Sequence, residues 1–385
     1  MSAVRATIDA AREAMVADLT AYIEHETPSD DREALGAGLA WLRGWLDERL
    51  GAPAAERTVD GAPHGDIAIL DYPAAGGGSG RVAILCHYDT VWPLGTLESW
   101  PVRIDGDRLT GPGAFDMKAG LVQAVWAIRA ARAAGLPLPA IRLLLNGDEE
   151  TGSPASRPHI EESVADCDAV LVFEASAGGA LKTARKGVGI FEVSTRGIEG
   201  HAGLDPERGV SAIDEIARVV VQLHAATDLA QGTSVNVGTL AGGSRSNVTA
   251  GFATALIDVR VTDEAEQARI DALLGSLAPH REGAEIAVGG GWNRPIMPRS
   301  EGTARLFAHA QEAAAALGTA IEETSVGGAS DGNFAAALGL PVLDGLGAVG
   351  DGAHARHEWI SIDGMLERSA LAALLLGRLG QPEEA

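Results

Sequence analysis

The hydrophobic pattern of this chain changes its period twice, and those changes constrain the fold more than any other feature of its 385 residues. Up to residue 186, short apolar runs at 66–71, 81–87, 141–146 and 169–174 alternate with amphipathic stretches of helix length at 2–23, 31–50 and 117–134. Strands alternating with helices build a layered α/β domain around a largely parallel sheet. At Gly187 the texture changes. "GVGIFEVSTRG" alternates apolar and polar residues, and a helical stretch follows at 209–226. Two more alternating runs, "TSVNVGTLAGG" and "ATALIDVRVT", and a helix at 264–277 complete a β-α-β-β-α-β order. The first texture then resumes with helices at 301–317 and 362–379 and strands at 319–323 and 341–343. The simplest architecture is one α/β domain, 1–186 and 295–385, interrupted by a smaller domain at 187–294.

A chain this long agrees with two domains, because single cores stop growing near about 250–300 residues. Asp30, with Glu33 three residues on, resembles a capping box at the start of the second helix. The Gly-rich "AGGGSG" at 75–80 precedes a strand instead of joining a strand to a helix, so it reads as a turn and not a phosphate loop. The first 26 residues carry charges throughout, and the longest apolar run, 370–376, is too short to span a bilayer. These features predict a soluble, cytoplasmic protein. Two cysteines, Cys86 and Cys167, make no disulfide framework. The net charge of -23, with scattered basic residues, argues against nucleic acid and anionic membrane as partners.

Five segments place acids and histidines where strands end. In "AILCHYDTVWP", His87 and Asp89 are two apart and share a face of the strand. A carboxylate beside an imidazole fixes its tautomer, the usual support of a metal-binding histidine. In "GPGAFDMKAG", Asp116 stands at a helix start, where an N-cap is the plain alternative to a metal ligand. "LLNGDEETGS" ends an apolar strand in Asp148, Glu149 and Glu150, "AVLVFEAS" ends one in Glu174, and "GDGAHARHEW" offers His354 and His357. In parallel sheets, ligands bind at the carboxyl ends of strands. Two imidazoles and several carboxylates gathered there cannot stay ionised and buried without a cation. Mixed histidine and carboxylate donors suit zinc, with manganese or cobalt as alternatives.

With "GHAG" added, these motifs resemble, in order and spacing, the M20 family of di-zinc metallopeptidases, and most closely its glutamate carboxypeptidase branch. The resemblance covers essentially the whole chain. It implies a three-layer α/β catalytic domain carrying an inserted ferredoxin-like α+β dimerisation (lid) domain. It further implies that His87 and Glu174 bind one zinc, that Glu150 and His354 bind the other, and that Asp116 bridges them. Asp89 would orient His87, and Glu149 would be the general base. In the inserted domain, the resemblance makes His201 a histidine that reaches the active site of the partner subunit in a homodimer. Asn247, Arg260 and Arg294 match substrate-binding positions, with Arg294 gripping the α-carboxylate and Lys182 meeting a glutamate side chain. Two departures stand out: the loop from Glu174 to Gly187 is shorter, and Val326 and Ala329 stand where the pattern has threonine and glycine.

The reaction so implied is hydrolysis of an amide next to a free C-terminal carboxylate. An N-acyl amino acid deacylase or dipeptidase is the alternative within the family. A two-metal phosphoesterase lacks its cationic phosphate cradle here. A catalytically inactive binding protein on the same fold would have no need of an intact Glu149.

Overall fold

In the computed structural model, which describes residues 3–381, a six-stranded sheet runs in spatial order Ala55–Val59, Gly65–Tyr72, Ala140–Gly147, Arg81–His87, Ala169–Val172 and Val342–Leu343. The last four pair in parallel, whereas the first two add antiparallel along one edge. The expectation of a largely parallel sheet is therefore corrected at that edge. Val59 and Gly65 are joined by too few residues for the crossover a parallel pair needs.

The four parallel strands are buried on both faces, whereas the edge strand Ala55–Val59 is largely exposed. Val82, Ile84 and Cys86 join one core with helices Arg32–Leu50, Ala119–Ala133 and Ile362–Leu379. On the other face, helix Gly332–Ala337 starts so close to Val172 that a Cβ on Gly332 would lie 3.0 Å from its Cγ2. Helix Arg157–Val164 is tied to the same side, its Ser163 carbonyl accepting from Arg142 at 2.7 Å. Helix, sheet and helix make the three layers.

Helix Arg32–Leu50 shows how sequence sets an element. Leu35, Leu39, Leu42 and Leu46 recur at helical spacing and are buried, each contributing about 1.5–3 kcal/mol by burial. The cap is Asp31, accepting from the Ala34 amide at 3.0 Å, and not Asp30. The expected opening helix is two, Ala3–Ala10 and Arg12–Glu24, broken at Ala11, and its predicted start at residue 2 lies outside the described residues. The strand expected at 319–323 is displaced to Glu323–Val326, where it pairs with Leu181–Arg185.

The chain divides into two units. One comprises Met1–Ala184, Arg299–Val326 and Ser330–Ala385; the other comprises Arg185–Pro298 with Gly327–Ala329. In the second, the sheet order is Ser234–Gly242, Phe252–Val261, Gly187–Arg196, Glu285–Arg294, all antiparallel. Helices Ala212–His224 and Glu264–Gly275 cover one face through Ile216, Val219, Leu223, Ile270 and Leu274. This is the ferredoxin-like order. Among the described residues, no helix is long and apolar enough to cross a membrane.

Candidate metal centre

Sheet register brings the first two ligand candidates together. Val82 pairs with Ala169 and Leu85 with Val172. Continuing that offset sets His87 opposite Glu174, both pointing to the face of Leu85 and Val172. His87 Nε2 lies 3.4 Å from Glu174 Oε1. The neighbouring strand, Ala140–Gly147, ends in a short turn over Glu149–Thr151 that carries the acidic pair.

Asp116 comes from an irregular turn, Ala114–Lys118, that follows Gly113. Gly113 has φ +72, which favours glycine. The helix after the turn starts at Ala119 with no side-chain cap, so the Asp116 carboxylate is not spent on capping. It faces two imidazoles instead. Oδ1 lies 3.3 Å from His87 Nε2, and Oδ2 lies 3.3 Å from His354 Nε2. His354 Nε2 is also 3.1 Å from Glu150 Oε2. His354, on the loop between short strands Gly350–Asp351 and Trp359–Ser361, has φ +60. A non-glycine residue in that region is uncommon and marks a constrained position. His357 is exposed.

The four N···O separations are 3.1–3.4 Å. Nitrogen and oxygen ligands about 2.0–2.1 Å from a tetrahedral zinc ion stand about 3.3–3.4 Å apart. The donors thus have the spacing of two coordination polyhedra that share the Asp116 carboxylate. His87, Asp116 and Glu150 present donor atoms within 4.8 Å of one another, as do His87, Glu149 and Glu174. Glu150 Oε1 is buried with no hydrogen-bond partner, which is costly unless a cation meets it. The residues fit a pair of divalent ions.

Electrostatics point the same way. Burial opposes charge on His87, but the carboxylates of Asp116, Asp89 and Glu174 outweigh it and hold the imidazole well above its ordinary range. Asp116 and Glu150 raise His354 to about 10. Burial would raise Asp116, yet His354 and His87 hold it far below the usual carboxylate range. Burial and then Asp116 raise Glu150, against the pull of His354.

Supporting residues extend beyond those expected. His87 Nδ1 lies 3.0 Å from the Asp89 carbonyl and 3.3 Å from its Oδ1. The same carboxylate accepts from Ser29 Oγ at 2.8 Å and from the Glu149 and Glu150 amides, each at 3.2 Å. Asp148 is buried and accepts from the Ala155 and Ser156 amides at 2.8 and 3.0 Å. Lys118 donates to the carbonyls of His25 and Tyr22 at 2.7 and 3.3 Å, and burial pushes it down to about 7. Ser29 carried no signal in the sequence. Glu358, whose carboxylate receives the amides of the Asp116 turn, was visible only as the acid of "HEW".

In the ferredoxin-like unit, His201 Nδ1 accepts from the Gly203 and Leu204 amides at 3.1 and 3.2 Å. With Nδ1 accepting, Nε2 is the ring nitrogen left to donate. Asn247 is close by, its carbonyl accepting from Ala202 at 3.0 Å. Arg260 is engaged by Asp258 in two bonds of 2.8 Å. Arg294 is buried at the end of its strand. Lys182 belongs to the other unit, exchanging backbone hydrogen bonds with Asp344.

A three-layer α/β unit with clustered acids and imidazoles at its strand ends, in one chain with a ferredoxin-like unit, defines a class of hydrolases. The sequence profile of peptidase family M20/M25/M40 matches residues 83–378, and the chain belongs to that family. It is 30% identical over 380 residues to carboxypeptidase G2 of Pseudomonas sp. (strain RS-16), covering 95% of this chain and 89% of that one. It is 26% identical over 343 residues to a succinyl-diaminopimelate desuccinylase of Sphingopyxis alaskensis, covering 84% and 88%. Its fold matches an M20 family metallo-carboxypeptidase from Sulfolobus solfataricus with a TM-score of 0.75 at 17% identity, covering 94% of this chain and 98% of that one. The protein is a hydrolase of the metallopeptidase and amidohydrolase kind.

Proposed function

We propose that this enzyme is a two-metal exopeptidase that releases a C-terminal amino acid by cleaving the amide next to a free carboxylate. The observation that carries this reading is the Asp116 carboxylate set between two mirrored imidazole–carboxylate pairs, at separations of 3.1–3.4 Å. Zinc is the ion best suited to the donor set, with His87, Glu174 and Asp116 holding one and His354, Glu150 and Asp116 the other. A pair of such ions supplies Lewis acidity at the scissile carbonyl and lowers the pKa of water.

The chain's own residues do the rest. Glu149 accepts the proton of the attacking water and delivers it to the leaving nitrogen. Asp89 holds His87 in one tautomer and fixes the backbone of Glu149 and Glu150. His201 of the partner subunit, in a homodimer formed through the ferredoxin-like unit, donates a hydrogen bond from Nε2–H to the developing oxyanion. Arg294 grips the substrate's α-carboxylate, with Asn247 beside His201 and Lys182 reserved for a side-chain carboxylate.

A second reading, N-acyl amino acid deacylation or dipeptide hydrolysis at the same centre, is favoured by the likeness to desuccinylases and by the pairing of Arg260 with Asp258. Glu149→Gln tests the mechanism: two metals are retained and turnover falls by about 10²–10⁴-fold. Full activity in that variant refutes the role of Glu149. Amine release from a panel of N-acyl amino acids, folate-type glutamates and dipeptides separates the two readings.

A further inference from the structure

Glu358 is fully buried, and its carboxylate gathers four donors. Oε1 accepts from the amides of Phe115 at 2.7 Å and Asp116 at 3.0 Å; Oε2 accepts from the Gly113 amide at 3.1 Å and the Trp92 indole at 2.9 Å. Three of these donors belong to the turn that presents Asp116. Glu358 itself closes the loop that presents His354. Its amide donates to the Ala355 carbonyl, and the Ala355 amide to Gly352, both at 2.9 Å. Gly352, at φ +89, lies so near that a Cβ there would stand 2.8 Å from Glu358 Cα.

From this geometry we infer that Glu358 is a positioning residue: it locks the backbone of Asp116 to the His354 loop and thereby sets the affinity of the metal position formed by His354 and Glu150. The inference rests on the two-metal reading. A buried carboxylate needs several donors to offset its desolvation, and here those donors are the backbone of a ligand turn. Both positions share Asp116, but His87 and Glu174 stand on strand register and Asp89, which Glu358 does not touch, whereas in the other position both Asp116 and the His354 loop depend on Glu358. Its loss therefore weakens the two positions unequally, whereas a merely structural role lowers fold stability and leaves the ratio of affinities unchanged.

The test uses metal-free wild type, Glu358→Gln and Trp92→Phe, each titrated with Co²⁺ and followed by ligand-field absorbance, with thermal unfolding of each metal-free protein alongside. Glutamine keeps the shape but turns an amide toward two of the donors. Glu358→Gln is expected to bind its first Co²⁺ nearly as tightly as wild type and its second about 10–100-fold more weakly. Trp92→Phe removes one donor of four, so its second Co²⁺ weakens by about two- to tenfold, and this variant decides the matter if Glu358→Gln does not fold. Unchanged second-site affinity, or equal weakening at both sites, overturns the inference and leaves the metal centre standing. A wild type that binds fewer than two Co²⁺ overturns both.

Discussion

The two halves of the candidate metal centre are built from different materials. The His87–Glu174 half stands on adjacent parallel strands, with the His87 side chain 1% exposed and its ring nitrogens enclosed by three carboxylates. The His354–Glu150 half stands on a loop and a short turn, with the His354 side chain 54% exposed and its backbone in the left-handed region. Register fixes the first half wherever the sheet forms. The second depends on loops being held, through Glu358 and through the Asp89 contacts to the acidic turn. The difference teaches that a symmetric set of donors can rest on unequal supports, one on strand register and the other on loops.

The largest expected effect removes what the halves share. Asp116→Ala should cost both ions and at least about 10³-fold in turnover, and elemental analysis finding two tightly bound ions would refute the bridge. Removing one imidazole at a time sharpens the contrast. His354→Ala is expected to keep close to one equivalent of metal, while His87→Ala loses the more enclosed site; equal retention in the two variants would erase the distinction. Asp89→Asn keeps every donor yet weakens metal affinity by about 10–100-fold, which competition with a chelator measures. The smallest effect concerns protons. His354, raised to about 10 by Asp116 and Glu150, is protonated in the metal-free protein at pH 7–8. An ion needs the neutral ring, so loading releases that proton, and affinity rises with pH until about 10. Calorimetry in buffers of different ionisation enthalpy detects this, and no proton release at pH 7.5 would contradict it.

The inner strands of the sheet and the acids and histidines beyond them were legible because apolar runs mark strands and chain order marks their ends, whereas the exposed edge strand Ala55–Val59 carries no apolar run and was not expected. Helices 301–317 and 362–379 were equally plain, since their caps, Ser300 and Ser361, precede long apolar periodicities. What escaped was two- and three-residue strands too short to alternate, such as Arg103–Asp105 and Trp359–Ser361. The break at Ala11 escaped too, because alanine carries no signal for a helix stop. Support by residues far apart in the chain was hidden as well: Ser29 meets Asp89 across 60 positions, and Glu358 meets Asp116 across 242. Nothing local announces that Asp258 holds Arg260, since alternate residues on a strand so often are simply both solvated.

Asp89 also bears on how such an enzyme can change over generations. One carboxylate touches the ring of His87 and the amides of Glu149 and Glu150. A substitution there disturbs a proposed metal ligand from each half and the proposed general base in a single step. Those three residues share one support, so a change at Asp89 is felt by all of them at once.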